Sequence, residues 1–407
     1  MPDRRRLLYI CPEFPPSRAT GAIRAARFAA HLPDHGWDPV VLTLRDHRPE
    51  VVVPGAAVQP VPTDPVQRVP LPLSPAADDA PPFHSEWLPF GEAMADVPRL
   101  TRAGHAAIAA HRPEAIMVNA PPNAFCLTAG RLARAHGLPL VIDHRDPWMP
   151  CDQRGPRRPF WTRVLEGPAE RRLVKQAAAV ILNTERARDA YRTYYPQVLA
   201  GRFHAIRNAM ADNFFDGPAM APFPVFTLLY PGSFGPYVSA LPVVELAREL
   251  AQRGLTPEQL RIVLTAQPRG GPAPDEPAAR LIQVIDRVPQ HAMGPLMLAA
   301  DMLLAVSQRS TLRLPLKTFD ILQSTRPVIL FQQVPNPELE ALYAAAGAGD
   351  VLNAGEITRA ADIVCATMAA GRHPERPRDP AVLDPLRIGP ATAALAGILD
   401  DVTGAPA

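Results

Sequence analysis

Lysine, cysteine, aromatic side chains and long apolar runs are all scarce in this chain. Of its 42 basic residues only two are lysines, Lys175 and Lys317, a pattern that reads as a coding bias toward arginine, alanine and proline. That scarcity gives each surviving lysine some interest. The four cysteines, Cys11, Cys126, Cys151 and Cys365, have neither metal-site nor disulfide-framework spacing and read as buried thiols. No stretch approaches the roughly 18 consecutive apolar residues of a membrane span. The basic start is followed by an apolar run of only five residues, 7–11, before Pro12. A signal peptide needs roughly 7–15, so this run is expected to be a strand and the protein cytoplasmic. A net charge of +2 offers no excess of cations for nonspecific nucleic-acid binding.

What is present is length and alternation. The 407 residues suffice for two domains with separate cores, and 47% hydrophobic content with 20% charge fits a globular protein. LLYIC (7–11) reads as a strand, PEFPPSRATG (12–21) as a loop, and AIRAARFAAHLPDHGW (22–37) as an amphipathic helix. Ile23, Ala26, Phe28, Ala29 and Leu32 are expected on its apolar side, with the basic residues opposite and Gly36 as the C-terminal stop. PVVLTL (39–44) is the next strand. A strand, a loop containing Gly21 and a helix start together form a ready anion site. The spacing is not G-x-G-x-x-G, so a nicotinamide dinucleotide is not indicated.

Residues 48–91 are proline-rich and read as a long mobile loop with a strand at 66–71. Helices at 92–111, 124–136 and 159–177 then alternate with strands at 115–120, 138–143, 178–184 and 203–208. Residues 212–226 read as a linker, after which the pattern restarts. Strands are expected at 226–232, 261–266, 281–288, 301–307 and 326–332. Helices are expected at 239–254, 290–300, 315–324, 336–346, 356–371 and 390–402. Such alternation implies an α/β protein of two Rossmann-like domains with parallel sheets and an interdomain cleft. The domains are placed at 1–215 and 224–385, with a C-terminal helix at 386–407 that packs back on the first. Arg163, Arg171, Arg172 and Lys175 fall on polar positions of helix 159–177, either a solvated face or one resting on anionic lipid.

LPLVIDHRDPW (138–148), VNAPPNAF (118–125), the opening PEFPPS and LPLKTFDILQSTRPVIL (314–330) resemble glycosyltransferases of family 4, with the GT-B fold. LLYPGSF (228–234) and the run from AAAVILNT to FHAIRNAMADNFF are similar to further blocks of that family. The resemblance covers most of the chain outside 45–112 and 265–300. It implies metal-independent transfer of a sugar, with retention, from a nucleotide-sugar donor to a hydroxyl of a glycan, lipid-linked or small-molecule acceptor. The donor is substrate, and no cofactor is expected.

Candidate residues follow. Lys317, at a helix start after an apolar strand and loop, offers an ammonium to a diphosphate leaving group. Asp320, one turn on, takes the place of the family glutamate that grips the donor ribose. Gly21, Gly232, Ser233 and Asn208 complete the expected donor contacts. Asp143, His144, Arg145 and Asp146 crowd the end of a buried strand, where ligands meet parallel sheets. They are expected to carry the catalytic step, or to form an Asp–Arg pair that only ties the strand end down. Arg24, Trp148 and Pro122 are assigned to the acceptor, Arg24 and Arg27 being equally compatible with a helix surface and Trp148 with packing. Two departures from the family pattern stand out. Leu312 occupies a position where the family has an acid, and GPYVSAL (235–241) lacks the arginine often found there. They keep two alternatives open, a noncatalytic homologue serving as a partner subunit and a nucleotide-sugar epimerase.

Overall fold

The computed structural model describes residues 4–11, 13–15, 20–43, 57–60, 88–152, 159–235, 237–268, 270–286 and 288–404. Contacts divide the chain into two units, residues 1–209 with 388–407, and 210–387.

The first unit is built on seven parallel strands: β1 (Arg5–Ile10), β2 (Trp37–Thr43), β3 (Ala57–Pro60), β4 (Ala115–Ala120), β5 (Leu140–His144), β6 (Ala179–Leu182) and β7 (Phe203–Ala205). Their order in the sheet is β3-β2-β1-β4-β5-β6-β7. The order reverses between β1 and β4, which pair in parallel through Leu7↔Ala115 to Ile10↔Val118. Helices α1 (Thr20–His31), α2 (Val97–His111), α3 (Ala124–His136), α4 (Phe160–Gln176) and α5 (Glu185–Tyr194) connect them. β1, β4, β5 and β6 are near-continuous apolar runs because helices cover both faces of a parallel sheet. The expected strand at 66–71 lies outside the described residues; β3, within the same proline-rich segment, pairs with β2 instead.

The second unit repeats the plan with β8 (Phe226–Tyr230), β9 (Leu260–Leu264), β10 (Ile282–Val284), β11 (Met302–Val306), β12 (Val328–Gln332) and β13 (Gly349–Asn353), ordered β10-β9-β8-β11-β12-β13. Its helices are α6 (Leu241–Gln252), α7 (Pro277–Leu281), α8 (Gln290–Ala299), α9 (Leu316–Leu322), α10 (Pro337–Ala345), α11 (Ile357–Ala370) and α12 (Pro380–Leu383). The strand expected over 281–288 shrinks to the three residues of β10 at the sheet edge. β13 has no counterpart in the sequence reading. GDVLN is short and partly solvated, and its Gly, Asp and Asn are weak strand formers, so it carries little periodic signal.

The last helix, α13 (Ile388–Thr403), belongs to the first unit. Its Ile388, Leu395, Ala396, Ile398 and Leu399 join Phe28, Leu32 and Trp37 in one core. The Trp37 indole donates to Asp400 at 3.0 Å, and the Arg5 guanidinium lies 4.4 Å over the Trp37 ring. α1 turns its buried side differently from expectation. Ala22, Arg24, Ala25, Phe28 and Ala29 are inside, while Ile23 and Ala26 are half-buried. Gly36 takes the left-handed conformation (φ 82°) that ends the helical stretch.

Candidate functional site

In an open parallel sheet, ligands bind beyond the carboxyl ends of the strands where the order reverses. Each unit has one such point, β1/β4 in the first and β8/β11 in the second.

At the first, the strand-end residues expected to act together are dispersed. Successive strand residues point to opposite faces. Asp143 faces α1, where both its oxygens accept from Arg24 at 3.0 Å and Oδ2 also accepts from Asn119 Nδ2 at 3.1 Å. Asn119 and Asp143 are register partners across β4 and β5. Arg24 is 2% exposed, and its other N–H groups go to the carbonyls of Ile206 and Arg207 and to Asn208 Oδ1. Arg24 therefore has no donor left for an acceptor, and Asp143 no exposed oxygen for catalysis. Both assignments are corrected to one buried ion pair. Asn208 is drawn into the same knot. It is buried, and its backbone N–H donates to Asn183 Oδ1 at 2.7 Å, which removes it from the donor contacts. The Arg27 guanidinium donates to the Ala209 carbonyl.

His144 points to the opposite face, against the rings of Tyr191 and Trp148. Burial pulls its pKa down to about 4, although Asp143 and Asp146 act the other way. Neither ring nitrogen has a hydrogen-bond partner among the described residues. It is a neutral packing residue here, not a catalytic one. Trp148 is also buried rather than an open platform for a sugar. Its indole N–H donates to Glu166 at 2.6 Å, its backbone N–H to Tyr191 Oη at 2.9 Å, and Phe90 meets its ring edge-on.

What remains at the surface of this switch point is Arg145, Asp146, Gly21 and Pro122, each half-buried except the fully covered Gly21. Arg145 Nη2 donates to the Pro121 carbonyl at 2.5 Å. The guanidinium lies directly on Gly21, where a Cβ would overlap it. The bare Cα of Gly21 thus makes room for a cation, a role other than the backbone anion contact expected. Loop residues 12 and 16–19, the rest of that expected cradle, lie outside the described residues.

Sequence reading missed what holds the 145–149 segment in place. Glu166 and Glu170 of α4 are buried. Glu166 accepts from the Trp148 indole and from the Phe90 N–H at 2.6 Å. Glu170 accepts from Tyr191 and Tyr195 hydroxyls at 2.6 Å and from the Met149 N–H at 3.0 Å. Desolvation pushes Glu170 up to about 7 against these three hydrogen bonds. The only available signal was spacing, since residues 166 and 170 share one helix face.

In the second unit Lys317 and Gly232 come together. Lys317 Nζ donates to Tyr230 Oη at 2.7 Å and lies 4.6 Å over that ring. Phe234 stacks on Tyr230 at 4.4 Å. Gly232 packs against the Lys317 side chain, and a Cβ there would lie 3.4 Å from Nζ. Burial lowers Lys317 to about 8 and raises Tyr230, so the phenol stays neutral and passes its own proton toward the Ser233 carbonyl at 3.3 Å. Among the described residues no carboxylate lies within ion-pair distance of Lys317. The Gly232 N–H is taken by Thr265 Oγ1 at 2.8 Å, so it is not an open phosphate donor as expected. Ser233 is exposed, and Asp320 is buried one turn beyond Lys317. Arg309, also missed, follows β11. Its backbone N–H donates to the Tyr237 carbonyl at 3.1 Å, placing an exposed cation beside the loop whose own sequence lacks arginine.

Residues 20–209 match the family model described as "Glycosyl transferase 4-like domain". No curated protein matches the chain. Among solved structures, sucrose-phosphate synthase from Thermosynechococcus elongatus is similar at 13% identity and TM-score 0.60, over 98% of this chain and 96% of that one. Anabaena HepE in complex with UDP and glucose is similar at 14% identity and TM-score 0.61, over 98% and 100%. UDP-N-acetylglucosamine 2-epimerase from Rickettsia bellii gives 12% and 0.54, over 98% and 97%. The chain has the α/β, two-domain fold of GT-B glycosyltransferases.

Proposed function

We propose that the chain is a glycosyltransferase that moves a sugar from a nucleoside-diphosphate donor to a hydroxyl acceptor, with retention of configuration. The observation that carries this reading is Lys317, a cation sequestered on tyrosine and glycine with no carboxylate partner among the described residues. A half-buried ammonium whose pKa is lowered by desolvation is poised for an anion, and a diphosphate leaving group supplies one. Arg309, just after β11, adds a second cation at the carboxyl end of the same sheet, offsetting the arginine missing from 235–241. Asp320 grips a ribose hydroxyl, and Ser233 offers a further donor. Within the first unit, Arg145 and Asp146 are assigned to the acceptor, together with Pro122. The match of residues 20–209 and the UDP and glucose bound by Anabaena HepE support the donor class. In this mechanism the leaving phosphate, stabilised by Lys317, helps take the proton of the attacking hydroxyl. No resident cofactor or metal takes part, the acceptor is a glycan, lipid-linked or small-molecule alcohol, and the reaction belongs to the cytoplasm.

The epimerase neighbour keeps a second reading in view. Epimerisation needs several titratable groups around the donor sugar, and the Lys317 cluster supplies few. Incubation with UDP-, GDP- and dTDP-sugars separates the readings. Transfer or slow hydrolysis that releases the nucleoside diphosphate is expected, and a donor converted only to its epimer would replace this reading. Total absence of donor binding would instead favour a noncatalytic partner subunit. Lys317→Ala should weaken donor binding by about tenfold to a hundredfold, the effect of losing one charge-assisted hydrogen bond of roughly 1.5–3 kcal/mol. Because the donor binds the ammonium form, wild-type affinity should hold below pH 8 and fall as pH rises past about 8. Lys317→Ala should lack that fall.

A further inference from the structure

α4 is turned inside out over its first half, while Leu173 and Val174 of its second half are buried in the ordinary way. Its two acids, Glu166 and Glu170, are buried, while Phe160, Trp161, Val164 and Leu165 are 75%, 39%, 62% and 55% exposed. Phe160 and Trp161 meet edge to face at 5.5 Å on that outer side. Arg163, Arg171, Arg172 and Lys175 are exposed as well. At about 100° per residue, Arg171, Arg172 and Lys175 fall on the same stripe as the apolar four, two to three turns farther on. The outward stripe therefore runs from an apolar half to a cationic half and bears no acid. Isolated exposed apolar side chains are ordinary; four adjacent ones led by two aromatics mark a contact surface.

We propose that this face of α4 docks on an anionic lipid bilayer surface. Phe160, Trp161, Val164 and Leu165 would enter the boundary between headgroups and acyl chains, and the basic half would rest on lipid phosphates. Charge selects this occupant. A second copy of the chain meeting the face symmetrically would set its own cations against these, which opposes self-association. The geometry gives surface contact rather than insertion across the bilayer, since among the described residues no helix is long and apolar enough to span one. Glu166 and Glu170 explain the orientation. Their bonds to Trp148, Met149, Tyr191 and Tyr195 fix which side of α4 faces in, so the apolar half cannot rotate into the core.

The proposal does not depend on the transfer reaction, and its test needs no donor or acceptor. Purified full-length chain is floated with vesicles of equal parts phosphatidylcholine and phosphatidylglycerol, and with vesicles of phosphatidylcholine alone. Wild type should float with the mixed vesicles, much less with the neutral ones, and less at high salt. Phe160→Ser with Leu165→Ser, and separately Arg171→Glu with Arg172→Glu, should each reduce the bound fraction about tenfold or more. All four positions are exposed, and unchanged circular dichroism will show that the variants fold. Wild type left in solution with the anionic vesicles overturns the proposal. So does equal binding by either variant, equal binding to neutral vesicles, or a wild-type dimer in light scattering that the serine variant dissolves.

Discussion

Arg24 shows how far residue type can mislead about role. An arginine on the first helix of an anion-binding supersecondary unit invites a ligand assignment, yet each of its N–H groups has an acceptor inside the first unit. Breaking a buried ion pair strands the remaining charge, at a cost of about 3–5 kcal/mol. Asp143→Ala is therefore expected to lower the unfolding free energy of the first unit by an amount in that range, read from the shift of its urea midpoint. A variant that kept full stability yet lost sugar transfer would restore Asp143 to the chemistry. The period of two in a strand was available in the sequence and already separates Asp143 from His144. What it could not give was the partner of each, because Arg24 and Tyr191 lie 119 and 47 residues away from those two in turn, distances along the chain that no local pattern encodes. Lys317 was readable for a different reason. Its rarity and its place after an apolar strand and loop are both local, whereas its partner Tyr230 lies 87 residues back.

At the scale of the element, α4 carries a carboxyl that titrates at a higher pH in the folded chain than in the unfolded one. Burial holds the Glu170 carboxyl protonated up to about pH 7, while in the unfolded chain it ionises near its ordinary value of ~4.3. Between those values the folded state binds the extra proton. Stability from this group is thus complete below about pH 4, declines as pH rises across the window and is gone above 7. Wild type should lose on the order of 3 kcal/mol between pH 5 and 8 from this source, and Glu170→Gln should flatten that slope in thermal unfolding. An identical slope in the variant would assign the proton elsewhere. The basic positions of this helix were legible as helical spacing. Its inward carboxylates were not, since an acid on a helix is ordinarily solvated. Only the hydroxyls and amides brought by α5 and the 148–149 segment make the inward position tolerable.

Across the whole molecule, the doubled α/β alternation is the part of the fold most legible in sequence, because parallel strands buried on both faces become uninterrupted apolar runs. Edge strands β3, β10 and β13 were the hard ones, all of them short and the last two half solvated, with nothing periodic to mark them. The return of the chain to the first unit is also a long-range event. Leu395 and Leu399 of α13 are fully buried in the same core as Phe28 and Trp37. Truncating one buried leucine to alanine costs ~2–5 kcal/mol, against the ~5–15 kcal/mol that holds a domain folded. Deleting 388–407 removes Ile388, Ile398 and the Trp37–Asp400 hydrogen bond besides, which should exceed the stability of the first unit altogether. The second unit keeps its own two cores and its hydrogen bond from Met210 to the Leu386 carbonyl at 2.8 Å. Calorimetry of the shortened chain should therefore lose the transition of the first unit while retaining one for 210–387, and limited proteolysis should leave a fragment of about that span. Leu395→Ala alone should keep both transitions and lower only one. If the shortened chain still unfolded in two steps at unchanged temperatures, α13 would be a passenger on the first unit rather than part of its core.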